Sequence, residues 1–155
     1  MSPVDYIERY VLGATMLLLP QGMDSAEARA QLMTIGLQES RFKHRRQIGG
    51  PAHGFWQFEM NGGVRGVLQH AMTRDPIREV LATLGYDDLV ATSYAAIVDN
   101  DILACAYARL LLWTVPGPLP KRGEADKAWQ YYLAGWRPGK PHRATWDAFY
   151  LQAWA

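Results

Sequence analysis

The segment QESRFKHRRQIGGPAHGFWQFE carries an acidic residue, Glu39, at a point where a helix gives way to a loop. On a helical wheel of about 100° per residue, Glu39 shares the apolar face with Leu32 and Ile35. A carboxyl group there loses hydration, and the helix C-terminus adds partial negative charge, so both effects raise its pKa. This position favours a carboxylic acid that keeps its proton near neutral pH, as a general acid must. A hydrated glutamate at a frayed helix end is the competing interpretation, and the wheel alone leaves both open.

The helix that carries Glu39 has recognisable boundaries. We expect Asp24 or Ser25 to begin it, with Glu27 completing a capping box from Asp24, and we expect it to run to about Ser40. Residues 41–63 follow with no clear periodicity, two Gly pairs and one Pro. We therefore predict a long structured loop with a short hairpin after this helix. Loops of this length inside compact domains are usually functional.

Helical patterns also dominate the remaining sequence. A first helix is predicted over residues 3–19, with Ser2 as its cap and Pro20 as its end. Further helices are predicted at 64–72, 75–85, 94–98, 101–113, 124–133 and 144–154. The segment DILACAYARLLLW is apolar on nearly all sides, so we expect it to be the central buried helix. The chain is predicted to be one all-α domain spanning residues 1–155.

Composition argues against several classes of protein. A net charge of +1 and a pI near 7.9 give no bulk-charge argument for binding nucleic acid or a membrane. The one cysteine, Cys105, cannot form an intramolecular disulfide, and the four histidines lack metal-ligand spacing, so we expect no metal and no cofactor. The run YVLGATMLLLP is too short to span a bilayer and follows no basic segment. We therefore expect no signal peptide, synthesis in the cytoplasm and no stable membrane insertion.

Several motifs occur in a recognisable order along the chain. A Glu-Ser pair at a helix end, Glu39 and Ser40, precedes a Gly-x-x-Gln turn at 54–57, the buried helix at 101–113 and a late turn, YYLAG, at 131–135. This order resembles the lysozyme-like clan, specifically the group of soluble lytic transglycosylases and goose-type lysozymes. The resemblance covers residues 26–141. It implies a lysozyme-like fold and cleavage of peptidoglycan.

The resemblance also implies roles for individual residues. Glu39 would protonate the glycosidic oxygen between N-acetylmuramic acid and N-acetylglucosamine. It would then take a proton from the muramic 6-hydroxyl, which closes a 1,6-anhydro ring without consuming water. Substrate-binding roles are implied for Ser40, Phe55, Trp56, Gln57, Tyr131 and Tyr132. Ser40 and Gln57 are expected to bind sugar groups or hold the loop, and Tyr132 to reach the carboxyl of Glu39 or an N-acetyl group.

Two departures from the family pattern leave other chemistries open. The late turn has Leu133 where the family has Asn, which removes one polar group that binds sugar. Glu59 is an unexpected second carboxylate near the Gly-x-x-Gln turn. If Glu59 faced Glu39 across roughly 6.5–9.5 Å with water between them, the protein would be a hydrolytic, lysozyme-like or chitinase-like glycosidase. A surface charge that staples the loop is the competing interpretation for Glu59.

The expected partner is the glycan strand of peptidoglycan, and no nucleic acid. The basic run at 43–46 is interpreted as a solvated loop face or as a contact for anionic peptide stems, and one of its arginines as a partner for a carboxylate. Without a signal peptide, we expect delivery in a phage virion or release by a holin. A non-catalytic lysozyme-like domain that binds glycan, or that is structural in a virion, is the alternative from another class.

Overall fold

Eight helices form the molecule in the computed structural model, which describes every residue from Met1 to Ala155. Helix accounts for 63% of the chain and there is no sheet, so the predicted all-α class is confirmed. The central buried helix is also confirmed, because ten of the 13 residues of Asp101–Trp113 are buried. None of the helices is both long enough and apolar enough to cross a membrane.

The first helix, α1, is continuous through Pro3–Tyr6, a π-helical stretch Ile7–Leu12, and Gly13–Leu18. Its predicted cap is confirmed, because the Ser2 hydroxyl accepts a hydrogen bond from the Asp5 amide at 3.1 Å while the Asp5 carboxylate accepts one from the Ser2 amide at 3.0 Å. Leu19 is already extended, one residue before the predicted end at Pro20.

Helix α2 is Ala26–Ser40, and its end places Glu39 in the last helical turn. Ser25 begins it, because the Ser25 hydroxyl accepts a hydrogen bond from the Ala28 amide at 3.0 Å. The predicted capping box from Asp24 is wrong, since the Asp24 carboxylate instead accepts two hydrogen bonds from the Arg29 guanidinium at 2.7 and 2.8 Å. A charged partner with two donors satisfies this carboxylate better than a backbone amide does.

The other helices surround the central one. In chain order they are α3 (a π-helical turn Met60–Val64 and then Arg65–Gln69), α4 (Arg74–Leu84), α5 (Val90–Asp99), α6 (Asp101–Trp113), α7 (Ala125–Trp136) and α8 (a 3₁₀ turn Arg143–Thr145 and then Trp146–Ala153). Helix α6 is the core helix, and Asn100 caps it by accepting from the Leu103 amide at 3.0 Å. Helices α2 and α8 lie side by side and form one wall of the domain.

The predicted late turn at 131–135 is wrong, because these residues belong to α7, which continues to Trp136. Two tertiary contacts favour the longer helix. The Trp136 indole N–H donates to the Trp56 carbonyl at 2.9 Å. Gly135 packs against the loop that follows α6, where a Cβ would lie 3.4 Å from the Val115 side chain, an ordinary packing distance. The helix ends only at Arg137, in the left-handed conformation with φ of 48°.

The loop after α2 folds into two very short hairpin contacts, as the sequence indicates. Arg46 bridges to His53, and His53 bridges to Phe58 with paired backbone hydrogen bonds of 2.8 and 2.9 Å. An ion pair fixes the loop to the core helix, since the Arg45 guanidinium donates to both oxygens of Asp101 at 3.0 and 2.8 Å. The predicted pairing of a basic-run arginine with a carboxylate is thereby confirmed. This ion pair therefore helps to hold the loop that connects Glu39 to α3.

Gly54, in this loop, lies so close to α5 and α6 that a side chain there would be strained. Gly54 has φ of +76°, and a Cβ there would lie 3.0 Å from the Ile97 carbonyl oxygen and 3.4 Å from the Ala104 side chain. We expect Gly54→Ala to lower the free energy of unfolding by about 2–3 kcal/mol, because left-handed strain adds to a backbone clash. Urea denaturation would measure the loss.

Gly85 provides the matched control for this substitution. It has φ of +86° at the end of α4, and a Cβ there meets no atom within 4 Å. Gly85→Ala should therefore cost only the conformational strain, about 1 kcal/mol. Equal losses for the two variants would contradict a close approach of the loop to α5 and α6 at Gly54.

Candidate active site

Glu39 is half-buried in the last turn of α2, and its carboxylate meets a tyrosine from α7. The Tyr132 hydroxyl donates a hydrogen bond to Glu39 Oε2 at 3.1 Å. The predicted contact between Tyr132 and this carboxyl is therefore confirmed. Burial and the neighbouring Glu39 charge raise the pKa of Tyr132, so its hydroxyl keeps its proton and acts as the donor.

Burial makes Glu39 a weak acid. Loss of hydration raises its pKa from 4.5 to about 7, while the hydrogen bond from Tyr132 and the positive charge of Arg41 act in the opposite direction. Desolvation is the largest of these effects. A carboxyl with a pKa near 7 is present in both protonation states at neutral pH, so it can donate a proton and take one back.

Arg41 supplies the positive charge next to Glu39, and sequence reasoning missed it. Its guanidinium donates to the Leu37 and Gln38 carbonyls at 2.5 and 2.7 Å, and lies 4.6 Å from the centre of the Phe149 ring. These contacts hold a cation against the negative end of α2, where the helix dipole favours it. Arg41 therefore partly stabilises the Glu39 anion after proton donation.

A stack of aromatic rings holds Tyr132 in place. We call Trp129, Tyr132, Trp136, Trp146 and Tyr150 the aromatic cluster. The Tyr132 ring lies parallel to the Trp146 ring, with centroids 5.0 Å apart and planes at 19°, and it packs against Trp129 at 5.4 Å. Trp146 is fully buried. These ring contacts hold Tyr132 where its hydroxyl meets Glu39.

Ser40 holds the loop rather than facing solvent. Its hydroxyl donates to the Phe55 carbonyl at 2.7 Å and accepts from the Phe42 amide at 3.1 Å. Of the two roles expected for Ser40, the hydrogen bonds satisfy the second, that of holding the loop. The Ser40 hydroxyl thereby joins the end of α2 to the Gly-x-x-Gln turn.

Phe55 and Trp56 belong to the core, so the expectation that they offer a surface to sugar rings is wrong. Their side chains are 3% and 1% exposed. The Trp56 indole donates to the Leu32 carbonyl at 2.9 Å, and Phe42 packs edge-on against both rings at 5.5 Å. Burying such large rings stabilises the turn, because apolar area removed from water dominates the energetics of a core. Their role is to position the loop.

Tyr131 points away from Glu39, so its expected place among the substrate-binding residues is also wrong. Its hydroxyl donates to the Val115 and Gly117 carbonyls at 3.0 and 3.1 Å, on the other side of α7. Consecutive residues of a helix are separated by about 100°, so Tyr131 and Tyr132 cannot serve one site. Tyr132 is the one that meets Glu39.

Gln57 and Glu59 line a cleft beside the site. Gln57 has the left-handed φ of 54°, and its amide donates to the Gly54 carbonyl at 2.9 Å. Gln57, Glu59 and Trp136 line a small recess that opens into a cleft of about 440 Å³, where Asn61 adds a polar wall. Glu59 is exposed within it. Glu39 does not line this cleft, so the two carboxylates do not share it.

Trp136 connects the two parts of the site, and sequence reasoning missed it. Its ring lies 6.3 Å from the Tyr132 ring and 5.9 Å from the Phe58 ring, and its indole N–H binds the Trp56 carbonyl. The Trp136 side chain also forms part of the cleft wall. The predicted helix at 124–133 ended before Trp136, so the sequence assigned its ring to no helix face.

Comparison with protein-family models, with curated proteins and with solved structures finds no match to this chain. No group of three or more His, Cys, Asp or Glu side chains is placed to hold a metal ion.

The raised pKa of Glu39 has a consequence for stability. A carboxyl whose folded pKa lies above its unfolded value stabilises the fold when protonated, and this contribution is lost as the pH rises from about 4.5 through about 7. Glu39→Gln mimics the protonated form. We expect the variant and the wild type to be equally stable near pH 4, and the variant to be the more stable above pH 7, by urea denaturation at each pH.

Glu79→Gln, the same substitution at an exposed position of α4, is the matched control. A difference between wild type and Glu39→Gln that does not vary with pH would contradict the desolvation of Glu39.

Proposed function

We propose that this protein cleaves peptidoglycan glycan strands as a lytic transglycosylase, with Glu39 as its single acid and base. The observation that carries the proposal is the half-buried carboxyl of Glu39, with a pKa of about 7 and a hydrogen bond from Tyr132. A general acid that works at neutral pH needs such a pKa. The resemblance at Glu39 and Ser40 and at the Gly-x-x-Gln turn supplies the substrate class.

In the proposed reaction, protonated Glu39 donates its proton to the glycosidic oxygen between N-acetylmuramic acid and N-acetylglucosamine. The bond from the muramic C1 to that oxygen breaks, and its electron pair stays with the departing N-acetylglucosamine 4-hydroxyl. The Glu39 carboxylate then takes the proton of the muramic 6-hydroxyl, and that oxygen bonds to C1. The 1,6-anhydro ring closes, Glu39 is protonated again and no water is consumed.

The surroundings of Glu39 suit both halves of this cycle. Desolvation favours the protonated acid before cleavage, and Arg41 with the Tyr132 hydroxyl stabilises the carboxylate after it. Each protonation state of Glu39 is therefore stabilised by part of its surroundings, and the free energies of the two states are similar near neutral pH. Substrate would further exclude water from the carboxyl, which strengthens each of these interactions.

We prefer a transglycosylase to a hydrolase because the proposed reaction needs only one carboxyl group. An inverting glycosidase needs a second carboxylate across the bond to activate water. The one charge that acts appreciably on Glu39 is that of Arg41, and Glu59 lies in a cleft that Glu39 does not line. An intramolecular 6-hydroxyl replaces water as the nucleophile, so a second carboxylate is not required.

The neighbouring cleft supports a binding role in the same proposal. Trp136 offers an apolar face there, while Asn61, Gln57 and Glu59 offer hydrogen-bonding groups. Sugar rings combine apolar faces with hydroxyl groups, so this mixture fits a saccharide. We propose that this cleft holds glycan beside the Glu39 carboxyl. Transport in a phage virion or release by a holin is proposed as the route to the wall.

The products of digestion test the function. Purified peptidoglycan would be incubated with wild type, Glu39→Gln, Glu59→Gln and the exposed control Glu79→Gln, and soluble fragments identified by mass spectrometry. We expect fragments ending in 1,6-anhydromuramic acid from every protein except Glu39→Gln, whose activity should fall at least about 100-fold because general acid catalysis is lost.

Other outcomes discriminate between the alternatives. Fragments with reducing ends that disappear in Glu59→Gln would replace the transglycosylase with a hydrolase. No fragments from any of the proteins, together with sedimentation of the wild type with peptidoglycan, would replace the enzyme with a glycan-binding domain.

A further inference from the structure

A buried arginine lies apart from Glu39, on the core helix. Arg109 belongs to the apolar segment DILACAYARLLLW of α6 and is only 6% exposed. One of its nitrogens, Nε, donates to the Met23 carbonyl at 2.9 Å. None of the protein's six ion pairs includes Arg109, and its two terminal nitrogens have no hydrogen-bond partner within the protein.

The carboxylate that acts on Arg109, that of Asp24, is already paired with another arginine. Asp24 is the carboxylate whose charge influences Arg109, but both of its oxygens accept hydrogen bonds from Arg29. No fully buried polar atom of Arg109 lacks a partner, so its two terminal nitrogens reach water in the adjoining cavity, and a carboxylate would take the place of that water. Burial lowers the pKa of Arg109. The residue remains charged, since arginine does not lose its proton in proteins.

Arg109 lines a cavity of about 500 Å³. The volume falls within the range of roughly 300–1,000 Å³ that small-molecule sites occupy. The walls are mostly apolar, and they are formed by Met72, Leu112, Trp113, Thr114, Val115, Pro116, Gly117, Leu119 and Tyr131. A buried cation in a cavity with mostly apolar walls fixes one end of a ligand and accepts an apolar body at the other.

The cavity is formed before any ligand arrives. Its outer wall is the segment VPGPLP, in which three prolines restrict the backbone. The Tyr131 hydroxyl ties this wall to α7 through the Val115 and Gly117 carbonyls. A preformed wall lowers the entropy lost on binding. It also means that Tyr131 has no donor left for a ligand, so Arg109 is the main polar contact.

We propose that this cavity is a binding site for a small organic carboxylate with an apolar, ring-sized body. The two terminal nitrogens of Arg109 would each donate to one carboxylate oxygen, a bidentate geometry that guanidinium and carboxylate share. The apolar body would pack on Trp113, Leu119 and Val115. A phosphate dianion fits less well, because the apolar walls give it no further donors. Tyr131, which lines this cavity, and Tyr132, which meets Glu39, point to different sides of α7, so Glu39 takes no part in this site.

Phenylacetate and its neutral amide, phenylacetamide, test the proposal. Both would be titrated at millimolar concentrations, the range expected for a ligand of about ten non-hydrogen atoms. The readout is the indole ¹H–¹⁵N signal of Trp113 in the full chain. We expect phenylacetate to shift this signal saturably and to bind at least about tenfold more tightly than phenylacetamide. Equal affinities, or no saturable shift with phenylacetate, would overturn the proposal.

Two variants and a control locate the site. Arg109→Met keeps an unbranched apolar stem but removes the charged guanidinium, so phenylacetate should bind at least about tenfold more weakly and lose its preference over the amide. Arg78→Met, at an exposed arginine of α4, should leave both affinities unchanged. Retention of the preference in Arg109→Met would overturn the proposal.

Leu119→Trp keeps the test decisive if Arg109→Met does not fold. It fills the cavity while leaving the guanidinium in place, and it should abolish binding of both probes. Undiminished binding of phenylacetate to Leu119→Trp would place the ligand elsewhere and overturn the site.

Discussion

The hydrogen bond from Tyr132 to Glu39 joins two residues that are 93 positions apart in the sequence, and the geometry of the proposed site depends on it. Its donor is held by the stacking of the Tyr132 ring on buried Trp146. Its acceptor is half-buried at the end of α2, where desolvation raises the pKa of Glu39 to about 7. The fold thus stabilises a carboxyl that is poorly hydrated yet bonded in both protonation states. That combination is what a residue acting first as acid and then as base requires.

Three further hydrogen bonds give this pair its surroundings. Ser40 binds the Phe55 carbonyl, Trp56 binds the Leu32 carbonyl, and Trp136 binds the Trp56 carbonyl. Together they connect the end of α2, the Gly-x-x-Gln turn and the end of α7 through buried groups. Buried hydrogen bonds of this kind are costly to break, because each would leave an unpaired polar group in the core. The turn is therefore held by its own apolar side chains, and these are unavailable to a ligand for the same reason.

The sequence predicted local features of this site better than distant ones. The start of α2 at Ser25 and its end at Ser40 followed from capping signals, which depend on neighbours within one turn. The single apolar face expected for α2 is not found, because residues 30–37 are all buried. The burial of Phe55 and Trp56 and the extension of α7 through Trp136 depend on contacts between segments far apart in the chain. Arg109 illustrates the same limit. Its place in an apolar helix is visible in the sequence, but the engagement of Asp24 by Arg29, which leaves Arg109 without a carboxylate, requires coordinates.

The mechanism depends on the protonation of Glu39 near neutral pH. The ¹³C chemical shift of the Glu39 side-chain carboxyl reports this protonation directly. A titration of protein labelled at glutamate carboxyl carbons, with Glu39→Gln used to assign the signal, would give the pKa without any substrate. We expect the Glu39 carboxyl signal to titrate with a midpoint near pH 7. A midpoint near 4.5, the value of a hydrated glutamate, would contradict it, because the carboxyl would then be ionised at neutral pH with no proton to donate.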